Sequence, residues 1–279
     1  MCLIFYIVLT MNNRREFLTK AAAFATIPFL PASVEANIAP PALPSLKGRK
    51  VLFTYGGWDG HEPQKFYDYM SAWLKEEGAD VQGSPSLDPY TDKALMSSID
   101  LVIQIFTMSQ ISKEQEAGLL AAVRDNGTGM AGWHGGMGDS FRNNVDYQFM
   151  VGGQWVAHPG GVVDYDVHII DKKDDVTAGL KDFHMKSEQY YMHIDPNVKV
   201  LATTKFNGAV NSWIDGAVLP VTWKKTFGKG RIFYTSVGHN VNHVTDVPDA
   251  LEMMKRGIKW ASASKYEPAE KWMSPAYKF

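Results

Sequence analysis

Short apolar runs alternate with amphipathic segments through the first half of the sequence, and this alternation restricts the fold more than any other feature. The strand patterns are KVLFTYGG (50–57), the weaker ADVQGSP (79–85), IDLVIQIF (99–106) and TGMAGWH (128–134), and helical patterns cover residues 64–77 and 112–127. Strands that alternate with helices form a parallel sheet with helices on both faces. The sequence therefore predicts the α/β class with a mostly parallel central sheet.

The second half has a different pattern. VVDYDVHII and VKVLATTKF alternate like strands, and VLPVTWKKTFGKGRIFYTSVGH predicts two strands joined by a turn at residues 228–230. A last helix is predicted from Val247 to Ala261 with Asp246 as its cap. The charged run DKKDDVTAG (171–179) is predicted to be a solvated loop.

The first 36 residues predict an export signal. Arg14 and Arg15 precede a short apolar run and the small-residue cleavage pattern at residues 34–36, which resembles a twin-arginine signal. Residues 1–10 do not fit that signal and are interpreted as an upstream extension. The apolar run is too short to span a bilayer, so we expect no membrane anchor after cleavage and a periplasmic or secreted protein. Residues 37–48 predict a linker, and 264–279 a C-terminal tail.

Composition excludes several function classes. A formal charge of −2 gives no basic footprint for nucleic acid. The only cysteine, Cys2, lies in the predicted signal, so the mature chain has no cysteine nucleophile. The glycine-rich stretches lack the lysine and hydroxyl residue of a phosphate loop, and no GxGxxG follows a strand. We therefore expect no nucleotide cofactor.

Histidines follow several predicted strands. His61, His134 and His239 each come at or just after a strand end, where the loops of a parallel sheet form its ligand crevice. His134 is the central residue of GWHGG, which has the spacing of a nucleophile elbow with an imidazole in place of serine or cysteine. His158 lies in a glycine-rich loop that could fold over the same edge.

Two kinds of chemistry are open to these residues. Neutral imidazoles bind divalent metals, and His134, His158 and His239 are the candidate ligands of a zinc or manganese ion. Alternatively His134, Glu188 and His239 form an acid–base set, because histidine exchanges protons near neutral pH. The irregular spacing does not decide between them.

Several motifs together resemble the ThuA-like family, named for trehalose utilisation, of the class I glutamine amidotransferase-like superfamily. They are FTYGGWDGHE, GWHGGMGDSF, MVGGQWVAHPGG, SEQYY and PVTWKKTFGKGRIFYTSVGH, and the resemblance covers residues 49–263. It implies a flavodoxin-like three-layer sandwich in which His134 replaces the amidotransferase cysteine. Trp155 replaces the phenylalanine of the family's GGxFxxHP, and Ser187 replaces the first acid of its DExYY, so Glu188 is the only carboxylate of that motif.

The resemblance also implies a small carbohydrate substrate and a pathway link to a sugar oxidoreductase that makes 3-keto-sugars. Aromatic rings suit the C–H faces of a pyranose. The residues predicted to bind substrate are Trp58, Asp59, His61, Trp133, Trp155, Tyr190 and Tyr191.

Three hypotheses remain at this point. The first is an exported enzyme that cleaves a sugar derivative such as a 3-keto-glycoside by acid–base or metal-assisted chemistry, as a monomer or homo-oligomer. The second is a non-catalytic sugar-binding protein that retains a degenerate amidotransferase-like cleft. The third is a hydrolase that uses Ser140, although Asp139 and Ser140 are more simply predicted to cap a helix.

Overall fold

The computed structural model describes residues 42–267, so the predicted export signal and most of the predicted tail lie outside it. Within this range no helix is both long and apolar enough to cross a membrane. The strands are β1 (Lys50–Gly57), β2 (Asp80–Ser84), β3 (Leu101–Thr107), β4 (Gly129–Trp133), β5 (Gly153–Ala157), β6 (Val162–Ile169), β7 (Phe183–Glu188), β8 (Tyr191–Ile194), β9 (Lys199–Lys205), β10 (Val218–Phe227) and β11 (Gly230–Thr235). The α-helices are α1 (Pro63–Glu76), α2 (Lys93–Ser98), α3 (Lys113–Arg124), α4 (His134–Gly138), α5 (Val145–Val151), α6 (Val241–Thr245) and α7 (Pro248–Ser262).

Nine of these strands form one sheet in the order β2-β1-β3-β4-β11-β10-β9-β6-β7, and β5 and β8 form a separate antiparallel pair. The part from β2 to β11 is parallel. From β11 onward each neighbouring pair is antiparallel. The predicted α/β fold is confirmed, and its antiparallel extension corresponds to the change of pattern in the second half of the sequence.

Each face of the sheet has its own apolar core. Successive strand residues point to opposite faces, so Val51 and Phe53 join one cluster and Leu52 the other. Helices α1 and α7 cover the first face, whereas α3, α4 and α5 cover the second. All residues of β3 are buried, as expected for a central parallel strand. The result is a three-layer sandwich.

The capping residues predicted from the sequence are present at α3 but not at α7. The capping box is present at α3, where Ser112 Oγ accepts from Gln115 N and Gln115 Oε1 accepts from Ser112 N. At α7 the predicted Asp246 cap is wrong. Val247 is the capping residue without a side-chain bond, and Pro248 starts the helix because its fixed φ suits the first position.

The prediction of a solvated loop at residues 171–179 is also wrong at its centre. Asp174 is buried and accepts hydrogen bonds from Lys224 Nζ at 2.8 Å and Lys199 Nζ at 2.7 Å. Burial alone would raise the pKa of Asp174, but these two ammonium groups hold it below its usual value. The segment is therefore attached to β10 by a buried ion pair and to β9 by a partly exposed one.

The end of β1 requires glycine. Gly57 has φ +77°, and a Cβ there would overlap the backbone oxygen of Thr107 on β3. We expect Gly57→Ala to lower the free energy of unfolding by about 2 kcal/mol, measured by urea denaturation. Gly179→Ala is a matched control, because Gly179 has the same φ but no atom within 4 Å of the added carbon. We expect the control to cost about 1 kcal/mol; equal losses would show that the clash has no effect.

Candidate functional site

Three strands of the parallel half bring histidines to one edge of the sheet. His61 ends the short turn after β1, His134 follows β4 directly, and His239 comes shortly after β11. The ring centroids are 4.6 Å apart for His61 and His134, 5.3 Å for His61 and His239, and 5.7 Å for His134 and His239. The strand ends thus place three imidazoles in one small volume.

Two of these histidines have left-handed backbone conformations. φ is +49° at His134 and +73° at His239. Tyr234 Oη donates to the backbone oxygen of His134, and the Cα of Gly238 packs so closely on His134 that a side chain would clash with its Cβ. Such conformations are costly for non-glycine residues, and they cluster where a side chain must be aimed at a site. The sharp turn predicted at His134 is therefore present.

Glu188, the last residue of β7, brings a carboxylate into the centre of the histidines. Its Oε2 lies 3.0 Å from His134 Nε2, 3.3 Å from His239 Nδ1 and 3.7 Å from His61 Nε2. One ligand atom from each of the four residues lies within 4.8 Å of the others. Two ligands at about 2.1 Å from one metal ion are about 3.0–3.4 Å apart, so the separations of 3.0 and 3.3 Å match a shared cation, whereas that of 3.7 Å to His61 is longer.

Hydrogen bonding fixes the proton of His134 on the nitrogen that faces away from the cluster. His134 Nδ1 is 2.8 Å from the carbonyl oxygen of Ser236, so Nδ1–H donates and a neutral ring directs the lone pair of Nε2 at Glu188. His61 Nδ1 pairs with Thr107 Oγ1 at 2.9 Å, which leaves its Nε2 toward the carboxylate. His239 Nδ1 is buried without a hydrogen-bond partner among the described residues. Hydrogen bonds to the far nitrogen of the ring orient metal-binding histidines in this way.

Burial controls the charge of the cluster. It lowers the pKa of His134 to about 3, although the negative charge of the nearby Glu188 carboxylate opposes this shift, and the ring is therefore neutral at pH 7. Burial would raise the pKa of Glu188, but its polar contacts with His134, His239 and His61 hold it well below its usual range. A carboxylate beside imidazole nitrogens is a donor set for a divalent cation.

His158 was predicted as a metal ligand, but it lies outside the group of four. Its Nδ1 is 3.8 Å from Glu188 Oε1, the other oxygen of the carboxylate. The side chain is 37% exposed, whereas the four clustered residues are more buried. Conversely, His61 was predicted only to contact substrate, and the structure places it among the four.

The aromatic residues predicted to bind substrate fall into two groups. Tyr190 stacks on His134 with ring centroids 3.9 Å apart, Trp58 lies edge-on to His61 and is 45% exposed, and Trp155 lies beside His158. Two others do not face the cluster: Trp133 is in the core with Phe53 and Phe66, and Tyr191 faces Phe206. These positions do not support the predicted substrate contacts of Trp133 and Tyr191. Asp59 is exposed next to Trp58, and its contact with substrate stays a prediction.

His243 was not predicted to belong to the site. Its Nδ1 is 3.1 Å from Ser187 Oγ, which in turn donates to the carbonyl oxygen of Gly238, and its ring stacks on His239. His243 therefore packs against His239 and is hydrogen-bonded to Ser187, the residue before Glu188. The one sequence signal for His243 is its spacing of four residues from His239, and it lies on the short helix α6.

The structure does not support Ser140 as a nucleophile. Its hydroxyl donates to the carbonyl oxygen of Gly136 and is bonded by Gln104 Nε2, in a buried position. Nor does Ser140 cap a helix: Asp139 is the C-terminal capping residue of α4, and Asn144 caps α5 at its N-terminus. Its neighbours are polar groups of the core, not a general base.

Comparison with known proteins decides the family. The sequence matches the ThuA family, described as trehalose utilisation, over residues 50–261. The chain belongs to the ThuA family. Membership of the ThuA family implies a carbohydrate-related function. A search of curated proteins finds no significant sequence match.

Solved ThuA-like proteins have the same fold. One from Bacteroides uniformis ATCC 8492 is 15% identical with a TM-score of 0.65, and the match covers 81% of this chain and 96% of that one. One from Parabacteroides merdae ATCC 43184 is 19% identical with a TM-score of 0.63, covering 80% and 93%. A cytoplasmic protein from Salmonella typhimurium LT2 is 15% identical with a TM-score of 0.52, covering 77% and 98%. At this level of identity the likeness establishes the fold.

Both departures from the ThuA motifs lie beside the cluster. Trp155, in place of phenylalanine, packs between His158 and the Arg142 guanidinium, which is 4.4 Å from its ring. Ser187, in place of the first acid, links His243 to Gly238. In the part of this ThuA chain that the structure describes, Glu188 is therefore the one carboxylate of the histidine cluster.

Proposed function

We propose that the protein is an enzyme of carbohydrate catabolism that cleaves a 3-keto-glycoside at a divalent cation held by His61, His134, Glu188 and His239. The observation that carries this proposal is the convergence of four ligand atoms within 4.8 Å. His134 has its proton committed to Ser236, so its Nε2 and Glu188 Oε2 direct lone pairs at each other across 3.0 Å. A cation between them turns this repulsion into attraction.

The number of ligands favours an ion that accepts more than four. Four protein ligands fill a tetrahedral zinc site, and structural zinc sites are closed in this way. An ion that takes six ligands, such as manganese, would leave room for substrate oxygens beside these four residues. Of the two metals predicted from the sequence, manganese is therefore the better fit to a catalytic role. When bound, such an ion supplies Lewis-acid polarisation of the substrate ketone.

His158 is the residue we assign to proton transfer. It borders the cluster, is the most exposed of the histidines around Glu188, and its Nδ1 has no hydrogen-bond partner within residues 42–267. The ketone at C3 acidifies the proton on C2, which His158 removes. The C2–H electron pair forms a C1–C2 double bond, the C1–O glycosidic bond breaks, and His158 returns the proton to the departing oxygen.

The aromatic side chains at the site orient the sugar. Trp58 offers an exposed ring beside His61, and the C–H face of a pyranose packs on such a surface. Tyr190 covers His134 and holds its ring in place by stacking. These contacts also suit a protein that only binds sugar, so turnover is the deciding measurement.

The test is an assay of protein purified without chelator, after elemental analysis of its metal content. We expect about one divalent ion per chain, release of the alcohol from an alkyl 3-keto-glucoside, and loss of turnover with chelator that added metal reverses. Sugar binding without turnover, with or without metal, would instead support the non-catalytic alternative.

Replacing His158 separates proton transfer from metal binding. We expect His158→Asn to lower kcat about 100-fold while metal content and KM stay nearly unchanged, because the side chain lies outside the four ligands. His193→Asn is the control, since His193 is an exposed histidine of β8 and should retain full activity. Loss of the metal in His158→Asn would make His158 a ligand and would contradict its assignment as the base.

We also propose export through the twin-arginine route, which the Arg14–Arg15 pair and the small residues at 34–36 support. That route transports folded proteins, so a cation could be loaded before export.

A further inference from the structure

The segment between β9 and β10 is an ordered loop with large apolar side chains on its surface. Its ends meet through two backbone bonds of 2.9 Å, from Phe206 N to Ala217 O and from Gly216 N to Phe206 O. Loops closed in this way are often functional. Trp213 on this loop is 81% exposed, and Val210 is also exposed. An ordered loop that leaves a tryptophan in water is a candidate binding element.

A groove lies between this loop and the face of β6 that carries the exposed residues Asp164 and Asp166. It has a volume of about 440 Å³. A smaller hollow of about 80 Å³ continues it toward Asn211 and shares Asp164, Gln189, Phe206 and Asn207 with it. Cavities that hold small molecules have volumes of about 300–1,000 Å³, so the groove is large enough for a sugar unit.

The groove is lined mainly by carboxylates and amides. Asp164, Asp166 and Asp215 face it with one opposing cation, Lys205, among the lining residues. His184, on the neighbouring strand, binds one oxygen of Asp164 and one of Asp166. This charge balance disfavours phosphates and carboxylates. It suits a neutral molecule with many hydroxyl groups, which donate to carboxylate and amide oxygens.

Two residues that line the groove and its hollow are chain neighbours of residues at the candidate cation site. Pro159 lines the smaller hollow and directly follows His158, and Gln189 lines the groove and directly follows Glu188. Val210 approaches the turn after Pro159 so closely that a Cβ at Gly160 would lie 3.0 Å from it. A ligand that extends past His158 would therefore meet this loop.

We propose that the groove is a second saccharide subsite, which binds the sugar on the leaving-group side of the bond that is cleaved. The inference rests on the proposed function for the first subsite. It specifies the substrate class as a neutral disaccharide or longer oligosaccharide, and it excludes sugar phosphates as preferred substrates.

Calorimetric titration with trehalose, glucose and trehalose 6-phosphate tests this subsite on the purified protein. We expect trehalose to bind about tenfold more tightly than glucose, and more tightly than its phosphate. Asp215→Asn in the groove and Asn211→Ala in the smaller hollow should each reduce the trehalose-to-glucose ratio to about two, with glucose affinity unchanged. Phe149→Ala removes an exposed aromatic ring on α5 and should leave the ratio unchanged. Equal binding of trehalose and glucose by the parent, or tighter binding of the phosphate, would overturn the proposal.

Sedimentation and turnover distinguish a saccharide subsite from a contact between protein copies and from failure of the proposed reaction. Sedimentation should give the same oligomeric state for the parent and Trp213→Ala. If the oligomeric state changes while the trehalose-to-glucose affinity ratio does not, the loop is a contact between protein copies, and the proposed subsite is overturned. Turnover of an alkyl 3-keto-glucoside depends on the cation site and His158 and does not require the groove. If that turnover is absent while the binding ratios are as expected, the proposed reaction is wrong and the subsite is retained. If turnover is present but the binding ratios are not as expected, only the subsite is rejected.

Discussion

Replacing Glu188 with glutamine is expected to remove the divalent cation and to lower turnover about 10⁴-fold, because this carboxylate faces all three clustered histidines. Loss of a residue that only supports a metal ligand costs about 10–100-fold in affinity, so loss of the central carboxylate should cost at least about 100-fold. Elemental analysis and calorimetric titration with Mn²⁺ and Zn²⁺ measure the effect. The folded structure should persist, since the glutamine amide can donate to the imidazole lone pairs that face it.

Glu62→Gln is the matched control. Glu62 follows His61 and accepts from Val241 N, but its carboxylate is bonded outside the cluster. We expect the control to keep its cation and its activity. Because a bound ion stabilises the native state by mass action, added metal should raise the Tm of the parent and of Glu62→Gln only. A stoichiometric ion retained in Glu188→Gln would place the metal elsewhere and refute the site.

Removing Asp174 is expected to have the largest effect on stability. Its side chain and that of Lys224 are both almost fully buried, and Lys224 Nζ also lies 4.4 Å from the Trp260 ring centre. Asp174→Ala leaves a buried ammonium group without its counter-charge, so we expect the free energy of unfolding to fall by about 3–5 kcal/mol in urea titrations. Asp125→Ala breaks an exposed ion pair with Arg124 and should cost about 0–1 kcal/mol.

The contribution of Asp174 to the free energy of unfolding should decrease at low pH. The pKa of Asp174 is lower in the folded protein than in the unfolded chain, so its contribution is complete above the unfolded value of about 4 and disappears as pH falls through the folded value. The stability difference between the parent and Asp174→Ala should therefore be constant near pH 7 and shrink below about pH 4. The double variant Asp174→Ala with Lys224→Met should recover much of the loss; no recovery would show that the buried charge is not its cause.

The parallel half of the fold was predictable because its information is local. Strands β1, β3 and β4 are compact apolar runs, β2 is a weaker one, and a parallel sheet follows from their alternation with helices. Burial of Asp174 was not predictable, because its partners lie on β9 and β10, far along the chain. A charged run gives no local sign that distant lysines will enclose it.

The candidate site, too, could be predicted from the sequence only where its information is local. Three histidines at strand ends could be grouped from sequence, since parallel strands end at one edge. Glu188 came from motif resemblance, and its central position depends on β7, at the far antiparallel edge of the sheet. The path of the glycine loop that carries His158 has no periodicity to reveal it, so its position outside the four was not predictable. Trp133 precedes His134, and consecutive residues at a strand end face opposite ways, which explains why one is core and the other is site.

The four residues of the cluster come from chain positions 61, 134, 188 and 239, and they join the parallel and antiparallel parts of the sheet. No subset of neighbouring elements contains them all. The site can therefore assemble only after nearly the whole domain has folded, and an ion held there fastens the first strand to the last ones. A bound metal ion would thus indicate that the domain is completely folded. Unfolding that begins anywhere between residues 61 and 239 would release the ion.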